Sequence, residues 1–135
     1  MERALERLEI AHLAERRVSE MSSGEARRVL LARGLVHDPR ALILDEPATS
    51  LDLRARRELR EILRKIARSG TSIILVTHDP VDIFPEISRV VLLKHGAVLH
   101  DGRKQDVLAS AHLSSLFGMP VELVERNGYY HLLDG

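Results

Sequence analysis

Two adjacent carboxylates stand at the end of an apolar run in this sequence. Asp45 and Glu46 follow "ALIL", residues 41–44, which predicts a buried strand, and an unpaired charge is costly at a buried position. A metal ion bound to phosphate would account for the pair, because Mg²⁺ usually takes one or two protein oxygens beside substrate phosphates. Asp45 is then the candidate Mg²⁺ ligand. Glu46 is the candidate group that orients or deprotonates an attacking water.

A histidine follows the next apolar run. His78 lies in "TSIILVTHD", residues 71–79, and ligands collect where the carboxyl ends of parallel strands meet. His78 could therefore hydrogen-bond a terminal phosphate near Glu46. Each residue also has an ordinary interpretation, since acidic pairs after strands are commonly turns or helix caps and single histidines are commonly surface residues. The evidence for chemistry comes from their combination.

The first third of the sequence predicts two helices. Apolar residues recur through the charged first segment and predict a helix that ends near Arg16 or Arg17. Ser22 and Glu25 fit a capping box at the start of a second helix, which ends before Asp38. The apolar positions of the two helices are Leu5, Leu8, Ile10 and Leu13, then Val29, Leu30, Leu35 and Val36.

A strand, a helix and a strand follow and must position the acidic pair and the histidine. Ser50 or Asp52 can cap the helix, and Gly70 offers its C-terminal stop. Its apolar side consists of Leu59, Ile62, Leu63 and Ile66. This order predicts a right-handed parallel unit, and the apolar content of "TSIILVTHD" predicts a strand that is covered on both faces.

The remaining sequence predicts short elements around two hairpins. Asp79 and Pro80 are typical of a cap and first residue of a brief helix, and "RVVLLKHGAVLHDG" predicts two strands joined near His95 and Gly96 at the edge of the sheet. A helical region over about 103–117 precedes a second hairpin that turns at Asn127-Gly128.

The composition is that of one soluble globular domain. The 135 residues include 44% hydrophobic and 30% charged residues, with 20 basic and 20 acidic side chains. This balance gives no support to bulk nucleic-acid binding, and basic residues such as Arg27 and Arg28 are interpreted as solvated helix faces. Cysteine is absent, which excludes thiolate chemistry. No apolar run approaches the roughly 20 residues that span a bilayer, so a membrane role must act through a partner.

The ordered motifs resemble one family. "MSSGEARRVLLARGLVHDPRALILDEPATSLD" followed by "ILVTHD" is similar to the ATP-binding subunits of ATP-binding-cassette (ABC) transporters. In that family's pattern Met21–Glu25 matches the signature and Ala41–Asp45 the Walker B strand. Glu46 matches the catalytic glutamate, Ser50–Asp52 the D-loop, and His78 the switch histidine.

The resemblance implies a fold, cofactors and partners. The fold is α/β, a partial P-loop NTPase (ABC ATPase) fold with parallel strands, flanking helices and C-terminal hairpins. ATP and Mg²⁺ are the implied cofactors. The implied partners are a second nucleotide-binding domain and a transmembrane permease, which would hold the chain at the cytoplasmic face of the cell membrane. The residues implied to contact ATP held by the opposite protomer are Ser22, Ser23, Gly24, Glu25 and Asp52. Ser23 replaces a usual glycine and Glu25 the commonest glutamine.

The sequence lacks the family's phosphate-binding loop. That loop needs G-x-x-x-x-G-K-[ST], and no Gly-Lys dipeptide occurs; the single glutamine, Gln105, lies far from a Q-loop position. We therefore expect the C-terminal half of an ABC ATPase, with the end of a helical subdomain including Met1 in 1–37, catalytic strands in 38–102 and a tail in 103–135. An isolated chain of this kind is expected to hydrolyse ATP weakly or not at all, and the strand at 73–76 to have an exposed edge or to depend on association.

Three functions remain open at this point. The chain could be the catalytic part of an ATPase subunit, or a non-catalytic assembly module that offers its signature and D-loop to a partner ATPase. It could also belong to an ABC-type ATPase of DNA repair or chromosome maintenance, against which the absence of a long coiled-coil insertion and of a basic face argues. The tail is similar to those of importers of iron chelates, haem or related metal compounds, which implies import of a small solute.

Overall fold

The computed structural model describes residues 2–134, with the side chain of Asp134 excepted. The expected place of Met1 in a helical subdomain lies outside the described residues. The chain forms two compact units that divide between His78 and Asp79. The domain bounds expected from the sequence at 37/38 and 102/103 stay a prediction.

The first unit contains three α-helices, two 3-10 turns and a two-stranded sheet. Its elements in order are α1 (Glu2–Arg7), 3-10 turns at Ala11–Leu13 and Val18–Glu20, α2 (Ser23–Leu35), β1 (Ala41–Asp45), α3 (Leu53–Arg68) and β2 (Ser72–Val76). The second unit begins with a 3-10 turn and contains two hairpins and two helices. Its elements are Pro80–Asp82, β3 (Arg89–Lys94), β4 (Ala97–Arg103), α4 (Lys104–Val107), α5 (Ser110–Phe117), β5 (Val121–Arg126) and β6 (Tyr129–Asp134).

The first helix is shorter than expected. It ends at Arg7 because Glu9 adopts a left-handed conformation with φ 58°, and the amides of Glu9 and Ile10 close the helix on the carbonyls of Glu6 and Leu5. This is a Schellman pattern with glutamate at the position that glycine usually takes. Leu8, Ile10 and Leu13 are still buried, at 2% exposure or less. The apolar spacing therefore identified core residues correctly, and the prediction of a helix to Arg16 or Arg17 was wrong.

The second helix has the predicted start and a different buried side. The side chain of Ser22 accepts a hydrogen bond from the amide of Glu25, and the Glu25 carboxylate accepts one from the amide of Ser22. Leu35 is buried as expected, but Leu30 is 57% exposed and the core side chain beside it is Leu31. Successive side chains on a helix point in directions 100° apart. The rest of the unit packs against the side that carries Leu31 and leaves the side that carries Leu30 exposed.

The third helix forms as expected. Asp52 is its N-cap, and the four predicted apolar residues, Leu59, Ile62, Leu63 and Ile66, are buried. Helix α3 ends at Arg68 and is followed by Ser69 and by Gly70 with φ 99°, a conformation that strains residues with a Cβ. No helix within residues 2–134 is long and apolar enough to cross a membrane.

The sheet of the first unit is parallel, and one of its faces is open. Ala41 to Asp45 pair in register with Ser72 to Val76. Leu42 is buried, whereas on the opposite face Ile43 is 69%, Ile74 52% and Val76 48% exposed. The prediction of cover on both faces was therefore wrong for the described residues, because two strands with an apolar pattern on both sides are packed on one side alone.

The second unit is built on two antiparallel hairpins with the predicted turns. His95-Gly96 joins β3 to β4, Asn127-Gly128 joins β5 to β6, and all four turn residues have positive φ. Each hairpin is a separate two-stranded sheet. The prediction that β3–β4 forms the edge of the parallel sheet was therefore wrong. The helical region is two helices, α4 and α5, because Ala109 is extended between them. The core of this unit consists of Val90, Leu92, Val107, Leu108, Leu113 and Tyr130.

Candidate functional site

The acidic pair lies where β1 ends. Asp45 pairs with Val76 at the last position of the parallel register and is exposed on the open face of the sheet. Glu46 follows with φ 47°, a left-handed conformation that is uncommon outside glycine. Its amide donates to the carbonyl of Val76 at 2.8 Å. The backbone of Glu46 is thus fixed to the end of β2 by one more hydrogen bond beyond the strand.

Glu46 and His78 are in direct contact. The Nδ1 atom of His78 lies 2.8 Å from Oε1 of Glu46, with 79% and 35% of the two side chains exposed. When the glutamate is ionised, Nδ1–H of His78 donates to the carboxylate. The second ring nitrogen, Nε2, takes no part in this contact. The contact joins residues from the ends of two neighbouring strands. The sequence-based expectation that these two side chains lie at one sheet edge is therefore matched by their geometry.

A loop leads from Glu46 to the third helix. The amide of Thr49 donates to the Glu46 carbonyl and that of Leu51 to the Ala48 carbonyl, both at 3.2 Å. Asp52 ends the loop, where its Oδ1 accepts from the amide of Ala55 at 2.8 Å. One carboxylate that could act in chemistry therefore starts the loop, and another ends it as a helix cap.

The capping box at Ser22 and Glu25 favours the ionised form of the Glu25 carboxyl. The hydrogen bond from the Ser22 amide lowers the pKa of the Glu25 carboxyl from its ordinary value of 4.5. A negative charge in the first turn also interacts favourably with the helix dipole. Glutamate at position 25 is therefore well matched to the start of α2.

Gly24 has a packing role. A Cβ added at Gly24 would lie 3.3 Å from Cβ of Ala55, closer than side chains ordinarily pack. The starts of α2 and α3 therefore approach each other closely, and glycine permits that approach. This contact brings the Ser22–Glu25 segment next to the residues that Asp52 caps.

The candidate residues form two groups within the first unit. A groove of about 950 Å³ is lined by Ser22–Glu25 and by Ser50, Leu51 and Asp52, so the predicted ATP-contacting residues share one surface. Asp45, Glu46 and His78 are not among the residues that line this groove. The signature-like residues and the acidic pair are thus presented separately by the chain.

The donor set suits Mg²⁺ held jointly with phosphate. No group of three or more metal-ligating side chains occurs in the part of the chain that the structure describes. Asp45 offers one exposed carboxylate at a strand end, and a single protein carboxylate beside substrate phosphates is a usual arrangement for this ion. Asp45 therefore fits the expected ligand role.

Sequence reasoning missed the basic residues that join α2 to its neighbours. Arg27 donates from Nη2 to the Thr49 carbonyl at 3.3 Å, and Arg28 forms an ion pair with Glu58 of α3. Both arginines are half-buried, whereas the charge pattern had indicated a solvated face. These contacts join residues 22 and 30 positions apart, and no local sequence signal predicts them. They follow from the tertiary packing of α2.

Known proteins are similar to most of this chain. Residues 2–81 match the family model described as "AAA domain, putative AbiEii toxin, Type IV TA system". The chain is 39% identical over 122 residues to the ABC transporter ATP-binding protein YlmA of Bacillus subtilis, covering 89% of this chain and 46% of that protein. It is also 39% identical over 109 residues to the molybdenum import ATP-binding protein ModC of Mycobacterium tuberculosis, covering 80% of this chain and 30% of ModC.

Solved structures show the same fold. An inward-facing ABC transporter described as metal-chelate type superposes with a TM-score of 0.85 at 26% identity, over 97% of this chain and 54% of that chain. The ATP-binding cassette MJ1267 in its ADP conformation gives a TM-score of 0.75 at 20% identity, over 85% of this chain and 47% of that chain. The architecture is therefore that of a P-loop NTPase, represented in part. The chain belongs to the AAA-domain family of the matching model, and its relatives over most of its length are ATP-binding proteins of ABC transporters. It spans about half the length of the relatives and structures it matches, or less.

Proposed function

We propose that this chain supplies the hydrolytic residues of an ABC transporter ATPase and acts on ATP held by a phosphate-binding loop outside the given sequence. The observation that carries the proposal is the 2.8 Å contact between Glu46 and His78 next to Asp45 at the ends of two parallel strands. In this arrangement Glu46 orients a water and accepts its proton. His78 orients Glu46 and presents its second ring nitrogen to a terminal phosphate.

Asp45 is the residue proposed to hold Mg²⁺. When bound there with ATP, the ion would neutralise charge on the phosphates. Glu46 directly follows Asp45 in the chain, and the hydrogen bond from its amide to the Val76 carbonyl holds its backbone at the end of the sheet. Hydrolysis of this kind depends mainly on positioning and electrostatics, which fits a site whose protein groups are few.

The open face of the sheet supports completion by further protein. Asp45 lies on the same face as Ile43, Ile74 and Val76, which are exposed. Parallel strands normally have both faces covered. Protein that covers this apolar face would also lie beside Asp45, where the phosphates are proposed to bind.

The proposed partners are a second nucleotide-binding domain and a transmembrane permease. The groove lined by Ser22, Ser23, Gly24, Glu25 and Asp52 is proposed to face ATP on the second domain. The permease would hold the assembly at the cytoplasmic face of the membrane. ModC of Mycobacterium tuberculosis and GlcV of Saccharolobus solfataricus are import proteins, and the similar transporter is described as metal-chelate type. We propose import of a small solute, with a metal chelate as the first candidate.

The non-catalytic assembly module is the second candidate. The observation that favours it is the separation of the groove residues from Asp45, Glu46 and His78. A chain that only completes a partner's site would use the groove and leave Glu46 idle.

Complementation separates the two candidates. The full chain is titrated into the segment of Bacillus subtilis YlmA outside the matched region, which we propose carries the phosphate-binding loop, and phosphate release from Mg-ATP is measured. We expect little release by the chain alone and stimulation on mixing. Glu46→Gln should lower the stimulated rate by about 10²- to 10⁴-fold, the usual range for loss of a general base. Glu122→Gln, an equal charge change at an exposed strand position, should leave it unchanged.

The opposite outcomes are equally clear. Stimulation that survives Glu46→Gln and is lost with Ser22→Ala supports the assembly module. Robust hydrolysis by the full chain alone, abolished by Glu46→Gln, would overturn the expectation that an outside loop is needed.

A further inference from the structure

The loop from Glu46 to Asp52 has a conformation that needs support. Glu46 has φ 47° and Ser50 has φ 66°. Non-glycine residues populate this region sparsely, and such conformations persist only where surrounding contacts hold them. The loop has two internal hydrogen bonds, from the amides of Thr49 and Leu51, at 3.2 Å each, the upper end of the usual range. Contacts from outside the loop must therefore contribute to its shape.

The ends of the loop are held by their neighbours. The amide of Glu46 donates to Val76 of β2, and Asp52 accepts from Ala55 of α3. The middle of the loop is held from a different element. Nη2 of Arg27 on α2 donates to the carbonyl of Thr49 at 3.3 Å, a length similar to that of the bonds inside the loop, and this donor comes from an element outside the loop.

Arg27 also lies on α2 only two residues after the Ser22–Glu25 segment. On either side of it, Gly24 packs against Ala55 and Arg28 pairs with Glu58. The first two turns of α2 are therefore held against α3. The Arg27 side chain extends from these turns to Thr49 and connects the loop with the Ser22–Glu25 segment.

We propose that Arg27 is a positioning residue that sets the loop carrying Glu46 and Asp52 relative to the Ser22–Glu25 segment. This inference rests on the proposed function, in which the two segments act on ATP in one assembly. Arg27 touches no reacting atom; it acts through the Thr49 carbonyl.

The first test needs no activity. Hydrogen exchange of the Thr49 and Leu51 amides is measured in the full chain for the natural sequence, Arg27→Met and Arg27→Lys. Arg27→Met should speed exchange of both amides about two- to tenfold, the range for one hydrogen bond, and Arg27→Lys, which keeps a charged donor, should restore at least half of the protection. Arg33→Met, at an exposed position in the last turn of α2, should change neither amide. Unchanged exchange in folded Arg27→Met would overturn the proposal.

The second test uses the stimulated phosphate release described above. Arg27→Met should lower kcat about two- to tenfold, leave KM for ATP unchanged and be rescued by Arg27→Lys. A rise in KM with kcat unchanged would overturn the positioning role. If the natural chain gives no stimulation at all, the proposed function fails, and the exchange measurement still decides whether Arg27 holds the loop.

Discussion

The two compact units of the chain use their strands differently. In the first unit the fully buried side chains come mainly from helices and from the segment after α1, and the inner residues of β2 are only half-buried. In the second unit strand residues Val90, Leu92 and Tyr130 are part of the core. The candidate catalytic residues all lie in the first unit, at the ends of its less covered strands. The proposed chemistry therefore lies where the first unit covers its strands least.

The largest effects are expected from shortening one core side chain in each unit. Leu63 and Leu113 are each 2% exposed, and replacing either with alanine should cost about 2–5 kcal/mol of unfolding free energy. Hydrogen exchange resolved by peptide should show faster amide exchange before Asp79 in Leu63→Ala and faster amide exchange after His78 in Leu113→Ala. Urea denaturation gives the size of each loss.

The natural chain measured in parallel is the reference for both variants. Equal loosening of both halves by Leu113→Ala would contradict the comparison and show that the chain unfolds as one cooperative body.

A smaller, pH-dependent effect is expected at one carboxylate in each unit. The Ser22 amide lowers the pKa of Glu25, and the Arg89 guanidinium lowers the pKa of Asp101, with bonds of 2.8 and 2.7 Å to its two oxygens. A lowered pKa in the folded state contributes stability that is complete above the ordinary values of 4.5 and 3.8 and is lost as pH falls through the lowered values.

Glu25→Gln and Asp101→Asn should therefore be less stable than the natural chain near neutral pH and converge with it in acid. Urea denaturation in steps from pH 7 downward measures the difference, and Glu122→Gln provides the charge-matched control. A deficit that persists unchanged at the lowest pH would show that lost packing, and not lost charge, causes it.

The smallest stability effect is expected on the open face of β1. Ile43→Thr keeps a β-branched side chain at a position that is 69% exposed, so the unfolding free energy should change by no more than about 0.5 kcal/mol. Leu42→Ala, at the neighbouring buried position, should cost several times more. Light scattering should show less self-association of Ile43→Thr, since an exposed apolar patch is removed. An equal loss from both changes would mean that the open face is already packed.

Local sequence signals predicted much of this fold. The capping box at Ser22, the cap at Asp52 and the turns at Gly96 and Gly128 all depend on a few neighbouring residues, and the structure contains each of them. The contact of Glu46 with His78 spans 32 residues, yet strand order made it predictable because parallel strands end at one edge.

Other features depended on packing that no short pattern encodes. The end of α1 at Arg7 is made by Glu9 in a conformation that usually marks glycine, so the residue type gave no warning. The choice of Leu31 over Leu30 for the core is set by where the neighbouring elements lie. The hydrogen bond from Arg27 to Thr49 follows from the same packing.

The five-residue register of β1 and β2 determines on which face of the sheet Asp45 lies. A slip of one residue would turn the inner and outer side chains of a strand about, and it would carry Asp45 from the open face into the layer that Leu42 and Leu44 occupy. An uncompensated carboxylate there would be strongly disfavoured. The charge proposed to bind the metal ion would therefore also disfavour the shifted pairing of β1 with β2.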